Sequence, residues 1–226
     1  MNNQSILILG NKTYNNLNAN SLIDIFDRNI RCNMGIPSGN NGSIKDSIVL
    51  CSHLYTNIVQ RKKSGSSLMK DYKTVYKEEY IKNFTDNFNI DEYTIIHSID
   101  RAGPYNSFLR ENKCPYLFKK QPRTGIAAIC NHILKFPKDK LYVFGFSVNN
   151  EVRQSFYVQD KIFQNEENNK SCHDKNSEIN IIRWLHDKGF IDATFCLLLD
   201  QQPSRLSNDL EPTEEAIKIL QNCKIL

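Results

Sequence analysis

The segment Cys172-His173-Asp174-Lys175-Asn176-Ser177-Glu178 sets an imidazole just ahead of a helical pattern and a carboxylate in that pattern's first turn. A histidine with an ordinary pKa near ~6.5 can accept a proton close to neutral pH. A glutamate in a first turn complements the positive end of the helix dipole. Taken alone, His173 is better read as a solvated loop histidine. Pro122-Arg123-Thr124-Gly125 opens an apolar helical run. Unpaired backbone N–H groups at a helix start favour an anion, Thr124 can cap, and Gly125 permits close approach. A plain helix cap explains the same residues equally well. Gly10-Asn11 ends the first apolar run, where backbone can come near a phosphate or ribose and Asn11 offers both a donor and an acceptor. By itself that pair reads more simply as a tight turn, and so does Arg31-Cys32-Asn33, where Asn33 could meet a pyrimidine edge or a ribose hydroxyl. Neither GxGxxG nor GxxxxGK[ST] occurs. His132 lies on the apolar helix and reads as a satisfied core residue. His186, late in its helix, suits the C-terminal dipole.

The elements that must position these residues are short apolar runs separated by helical patterns. Ile6–Leu9, Ser47–Cys51, Tyr93–Ile96, Leu141–Phe146 and Ala193–Leu199 read as strands, and their near-continuous apolarity predicts a sheet covered on both faces. Helices are expected over 68–84, over 124–136, from Asn176 or Ser177 (as cap) to about Lys188, where Gly189 stops it, and after Pro212. Alternating strands and helices predict an α/β fold with a mainly parallel sheet. Such sheets take ligands beyond the carboxyl ends of their strands, which points to Gly10-Asn11, His53, His97 to Arg101 and Ser147. Residues 60–67 and 164–171 are polar loops.

Bulk properties exclude several classes. The 226 residues suffice for one continuous core, with 40% apolar and 24% charged residues. The net charge of +4 is too mild, and Arg61-Lys62-Lys63 too short a basic cluster, for the dense stripe of a nucleic-acid binder. No run approaches the ~20 apolar residues of a membrane span. The first residues lack the charged region and cleavage site of a signal peptide. The seven cysteines form no CxxC and no metal-ligand spacing. Four of them (Cys32, Cys51, Cys130 and Cys196) lie in apolar surroundings, so a reducing, cytoplasmic or otherwise intracellular setting without a disulfide framework is expected.

Order along the chain adds what the single segments lack. ILILGN, FDRNIRCNMG and IKDSIVL resemble the long sialylmotif of the sialyltransferases, glycosyltransferase family 29 and the related bacterial family 42. QPRTGIAAICNHILKFPKDKLYVFGF is similar to the short sialylmotif, SFYVQD faintly resembles the small aromatic third motif, and HDKNSE fits the His-x4-Glu pattern of the last. The third block lacks the histidine of animal members, and the cysteines that join the first two motifs in those enzymes are not matched. The resemblance covers about 5–51 and 121–199.

What the resemblance implies is a single Rossmann-like domain over 1–226, with a mainly parallel sheet flanked by helices, the sialyltransferase variant of the GT-A type. The donor-binding blocks would be 5–51 and 121–199, with an acceptor-side insert at about 52–120. The implied activity is inverting, metal-independent transfer of sialic acid from CMP-sialic acid to a hydroxyl of a glycan or glycolipid acceptor. The CMP-sugar is a co-substrate, and no cofactor or metal is needed. Gly10, Asn11 and Asn33 would contact the cytidine monophosphate, and Thr124 and Gly125 the sugar carboxylate or nearby groups. Tyr157 would donate to the departing phosphate, His173 would be the general base, and Glu178 would support the site. Another CMP-linked acid sugar such as Kdo, or a non-catalytic nucleotide- or glycan-binding scaffold, fits the same motifs.

Overall fold

The computed structural model describes residues 4–10, 19–32, 47–51, 92–96, 102–148, 173–199 and 210–226. Four of the five runs read as strands form β1 (Ser5–Leu9), β3 (Ser47–Cys51), β4 (Glu92–Ile96) and β5 (Lys140–Phe144), and the mixed run Arg28–Cys32, which was not among them, forms β2. Around them lie α1 (Asn20–Ile23), α2 (Ala102–Glu111), α3 (Thr124–Lys135), α4 (Lys175–Asp187), α5 (Thr194–Leu199) and α6 (Glu214–Asn222). The helix expected over 68–84 and the loops at 60–67 and 164–171 lie outside the described residues.

The strands make one sheet in the order β4-β3-β2-β1-β5, parallel at every pairing. Ile8 sits opposite Ile30 on β2 and Val143 on β5, so β1 is paired on both sides. Side chains alternate between faces along a strand. Ile6 and Ile8 join a core with Tyr105 and Leu109 of α2, Ile129 and Ile133 of α3, and Ile181 and Leu185 of α4. Leu7 and Leu9 point the other way, into a cluster with Leu22 of α1, Phe26, Phe195 and Leu199 of α5, and Leu220 of α6. A strand buried on both faces has no polar side to alternate with, which explains the unbroken Ile6–Leu9 run. β4 and α2 fall within 52–120, so that stretch contributes an edge of the sheet and part of its cover.

One expected strand is a helix. Ala193–Leu199 becomes α5 because the chain runs beside β5 for a single residue only. Asp192 bridges to Tyr142, exchanging backbone bonds with Leu141 and Val143 at 2.7 and 2.9 Å. Its carboxylate then accepts from the Thr194 backbone N–H at 2.9 Å and from the Thr213 hydroxyl, which turns the chain into a helix. Thr213 in turn caps α6 through the Ala216 N–H, and its own N–H donates to Thr194 Oγ1 at 2.9 Å. A short apolar run flanked this way cannot be assigned by periodicity, since buried helix and buried strand look alike.

The strands run outward in chain order from β1 to β4, and β5 then adds on the opposite side of β1. The junction of β1 and β5 is therefore the point where the winding reverses and an open sheet leaves a crevice. There the two strand ends come unusually close. Gly10 donates its N–H to the Phe144 carbonyl at 2.7 Å. A Cβ on Gly10 would stand 2.2 Å from the Gly145 carbonyl oxygen, and one on Gly145, already at φ +79°, would stand 2.8 Å from that of Gly10. Neither position tolerates a side chain without backbone displacement. Gly10→Ala is expected to cost about 1–3 kcal/mol, the usual penalty for forcing atoms into a filled space. Urea unfolding should show a lower midpoint with an unchanged slope, and an unchanged midpoint would contradict the tight apposition.

Candidate active site

The strand ends pass their geometry to α3 through Phe146. Its ring edge lies 3.1 Å from where a Gly10 Cβ would be and 2.6 Å from where a Gly125 Cβ would be. Two glycines far apart in sequence thus accept one ring, and the first turn of α3 sits beside the end of β1. The sequence reading had Gly10 and Gly125 admit a ligand. The close approach each permits in the structure is to Phe146 and, for Gly10, to Gly145 as well.

α3 begins with Thr124, which is buried, and its N-cap is Arg123 in extended conformation with no side-chain cap bond. Thr124 is therefore the first helical residue rather than the cap. The cap is held from outside the helix. Glu178, in the first turn of α4 and only 4% exposed, accepts from the Arg123 backbone N–H at 2.7 Å and from Arg123 Nε at 2.5 Å. The Arg123 side chain is 42% exposed, so the pair joins a buried carboxylate to a partly solvated guanidinium. A buried carboxylate without such bonds costs several kcal/mol, so this pairing fixes the N-terminus of α3 against that of α4.

The N-cap of α4 is Asp174, not Asn176 or Ser177. Its carboxylate accepts from the Ser177 hydroxyl at 2.7 Å and from the Ser177 N–H at 3.2 Å. These bonds, the hydroxyl's first, hold its pKa below the usual carboxylate value. Asp174 outcompetes its neighbours because a charged oxygen three residues before a free N–H is the stronger acceptor. The helix stops at Gly189, at φ +72°, as expected.

His173 directly precedes this cap. Its Nδ1 lies 2.6 Å from the backbone carbonyl oxygen of Gln121. A carbonyl can only accept, so Nδ1 carries the proton and the lone pair of the neutral ring is on Nε2. Gln121 is placed in turn by the chain before it. Asn106 of α2 pairs with both backbone groups of Phe118, at 2.8 and 3.1 Å, and the Cys114 N–H bonds the Leu109 carbonyl. After β5, Val148 is buried and its carbonyl accepts from Arg183 of α4 at 3.1 Å.

The structure therefore links Gly10, Gly125, Glu178 and His173, with Thr124 between them, at the carboxyl ends of β1 and β5 and the amino ends of α3 and α4. Asn11, Asn33 and Tyr157 lie outside the described residues, as do His53 and 97–101. Arg31, which leads towards Asn33, is buried in β2. Gln121 and Arg123 were not singled out as working residues from sequence, though both adjoin the Thr124-Gly125 pair that was.

The other candidate groups have structural explanations. His132 is buried with Nε2 3.1 Å from Asp139, as a satisfied core residue. His186 does more than complement a dipole. It is buried, its Nδ1 accepts from the Ala193 N–H at 3.2 Å and its Nε2 donates to the Glu211 carbonyl at 3.0 Å, joining α4 to the starts of α5 and α6. Burial pushes the Cys32 thiol up to about 12 and that of Cys130 higher still, so neither is a nucleophile near neutral pH.

No protein-family model and no curated protein matches this sequence. Solved structures do. A mammalian sialyltransferase is 13% identical, with 84% of this chain and 68% of that one covered and a TM-score of 0.48. A variant of the sialyltransferase CST-II, a Campylobacter jejuni protein, in complex with CMP is 14% identical, with 96% and 98% covered and a TM-score of 0.49. The monofunctional alpha-2,3-sialyltransferase Cst-I from Campylobacter jejuni is 15% identical, with 99% and 96% covered and a TM-score of 0.47.

The cap makes a pH-dependent contribution. Because the folded-state pKa of Asp174 is lowered, its stabilisation is present above the unfolded value of ~3.9 and is lost as pH falls through the folded value. Asp174→Ala is expected to destabilise the protein by about 1 kcal/mol at neutral pH. The gap between the two proteins should close below about pH 4. Denaturation curves across pH would expose the error if the gap stayed constant.

Proposed function

We propose that this chain is a sialyltransferase-type glycosyltransferase that moves an acid sugar, sialic acid, from its CMP-linked donor to a hydroxyl of a glycan acceptor, with His173 as general base. The observation that carries this reading is the 2.6 Å contact of His173 Nδ1 with the Gln121 carbonyl, beside the amino end of α3 at the reversal point of the sheet. It supplies a base in one tautomer next to the place where an open α/β sheet and a helix N-terminus favour a phosphorylated ligand. The ordered sialylmotif-like blocks supply the donor class.

The reaction follows from these parts. The acceptor oxygen attacks the anomeric carbon while His173 Nε2 takes its proton. The bond from that carbon to the phosphate oxygen breaks with inversion, and CMP departs with the electron pair. A nucleoside monophosphate is already a good leaving group, and the sugar's own carboxylate offsets positive charge at the reacting carbon. A divalent cation is therefore not required by the chemistry. In this reading Gly10, Asn11 and Asn33 line the cytidine side, Thr124 and Gly125 lie by the carboxylate, and Tyr157 donates to the leaving phosphate. Glu178 holds the two helix ends, and residues 52–120 contribute acceptor contacts. The chain would act in a reducing, intracellular setting. Among the described residues no helix is long and apolar enough to cross a membrane.

A positioned base contributes ~10²–10⁴ in rate, or roughly 2.7–5.5 kcal/mol of barrier. His173→Ala is expected to lose that much kcat in a mass-spectrometric transfer assay while binding CMP as tightly by calorimetry. Transfer at a near wild-type rate would remove His173 from the role of base.

A further inference from the structure

The base is held by a backbone carbonyl, and a carbonyl sets a tautomer only if it stays in place. Gln121 is two residues ahead of Arg123, with buried Pro122 between them. Pro122 fixes its own φ and restricts Gln121 to extended backbone, so the three residues form a stiff strap. One end of the strap is gripped twice by a single carboxylate: Glu178 accepts from both the backbone N–H and Nε of Arg123. The other end holds His173 Nδ1 through the Gln121 oxygen. Glu178 and His173 are themselves only five residues apart, on either side of the Asp174 cap. The result is a closed loop: His173, Gln121, Arg123, Glu178 and back along the first turn of α4.

We infer that Arg123 is a positioning residue, whose two hydrogen bonds to Glu178 fix the Gln121 carbonyl and thereby keep the His173 proton on Nδ1. This rests on His173 being the base of the proposed reaction. The side-chain arm of the grip is what makes it specific. The backbone N–H alone holds Arg123 to Glu178 at a single point. The second bond, from Nε, makes the contact bidentate and defines an orientation. Lysine offers an ammonium of different shape and length on a flexible stem, so it cannot reproduce the pair.

The test is the ring ¹⁵N spectrum of His173 in the full chain, alongside kcat, KM and thermal stability. The neutral ring of the wild type should show a protonated Nδ1 and an unprotonated Nε2. Arg123→Lys should mix the two tautomers and lower kcat roughly ten- to a hundred-fold, a part of the ~10²–10⁴ that a fully positioned base supplies. A KM for the CMP-sugar that rises several-fold with the tautomer unchanged would place the effect of Arg123 at the α3 end beside Thr124 and Gly125, and overturn the inference. Glu178→Gln, which keeps an acceptor for the backbone N–H and loses the charged partner of Nε, provides a second variant if the first does not fold, with the same result expected. A folded variant whose His173 keeps the wild-type tautomer would overturn the inference. So would a kcat loss accounted for by reduced stability with the tautomer unchanged. If the tautomers mix while the wild type transfers no CMP-linked sugar, the positioning role stands and the proposed reaction falls.

Discussion

The contact on which the rest depends is the meeting of Gly10 with Gly145. β1 is an interior strand, and β5 joins it only after the chain has built the other three and returned. The two strand ends can be tied together only where neither carries a side chain, since a Cβ on either would lie within 2.8 Å of the other's carbonyl oxygen. Phe146 then leaves β5 across Gly10 and packs onto Gly125. That brings the amino end of α3 to the strand ends. Arg123 at that end meets the buried Glu178 of α4, and α4 carries His173 at its threshold. The site is therefore a series of steric and electrostatic consequences of one backbone apposition.

Electrostatics does in the second half of this series what packing does in the first. The carboxylates at the start of α4 divide the work. Asp174 satisfies its own helix, accepting from Ser177, and its pKa falls accordingly. Glu178 reaches out of the helix to another one, and its burial is offset by two charge-assisted bonds. The imidazole beside them meets the Gln121 carbonyl through Nδ1. A carbonyl oxygen only accepts, so this contact fixes the proton on Nδ1.

Much of this was legible in the sequence. Ile6–Leu9 and Leu141–Phe146 read as two-face-buried strands because their runs are nearly all apolar, and although the second strand ends at Phe144 the structure places the side chains of both in cores on either side of the sheet. α3 and the end of α4 at Gly189 were equally readable, since apolar spacing and a left-handed glycine are local signals. The misreading of Ala193–Leu199 has a tertiary cause. Its fate is decided by Asp192, whose partners include Thr213, more than twenty residues on. The cap of α4 was misplaced by two or three residues because Asp174, Asn176 and Ser177 all have capping side chains, and only geometry separates them. The bond of Glu178 to Arg123 spans 55 residues, so no local pattern could announce it. Gly10 and Gly125 were read as admitting a ligand, and what comes close to them within the protein is Gly145 and Phe146.

The proposed reaction requires the basic nitrogen of His173 to face the reacting carbon at the reversal point of the sheet. A crystal structure with an unreactive CMP-sugar analogue and an acceptor glycan would show whether it does. The phosphate and sugar carboxylate are expected near Thr124 and Gly125, with the acceptor hydroxyl within ~2.6–3.2 Å of His173 Nε2. A donor bound elsewhere on the chain, or an acceptor hydroxyl addressed by a different side chain, would contradict the proposed reaction.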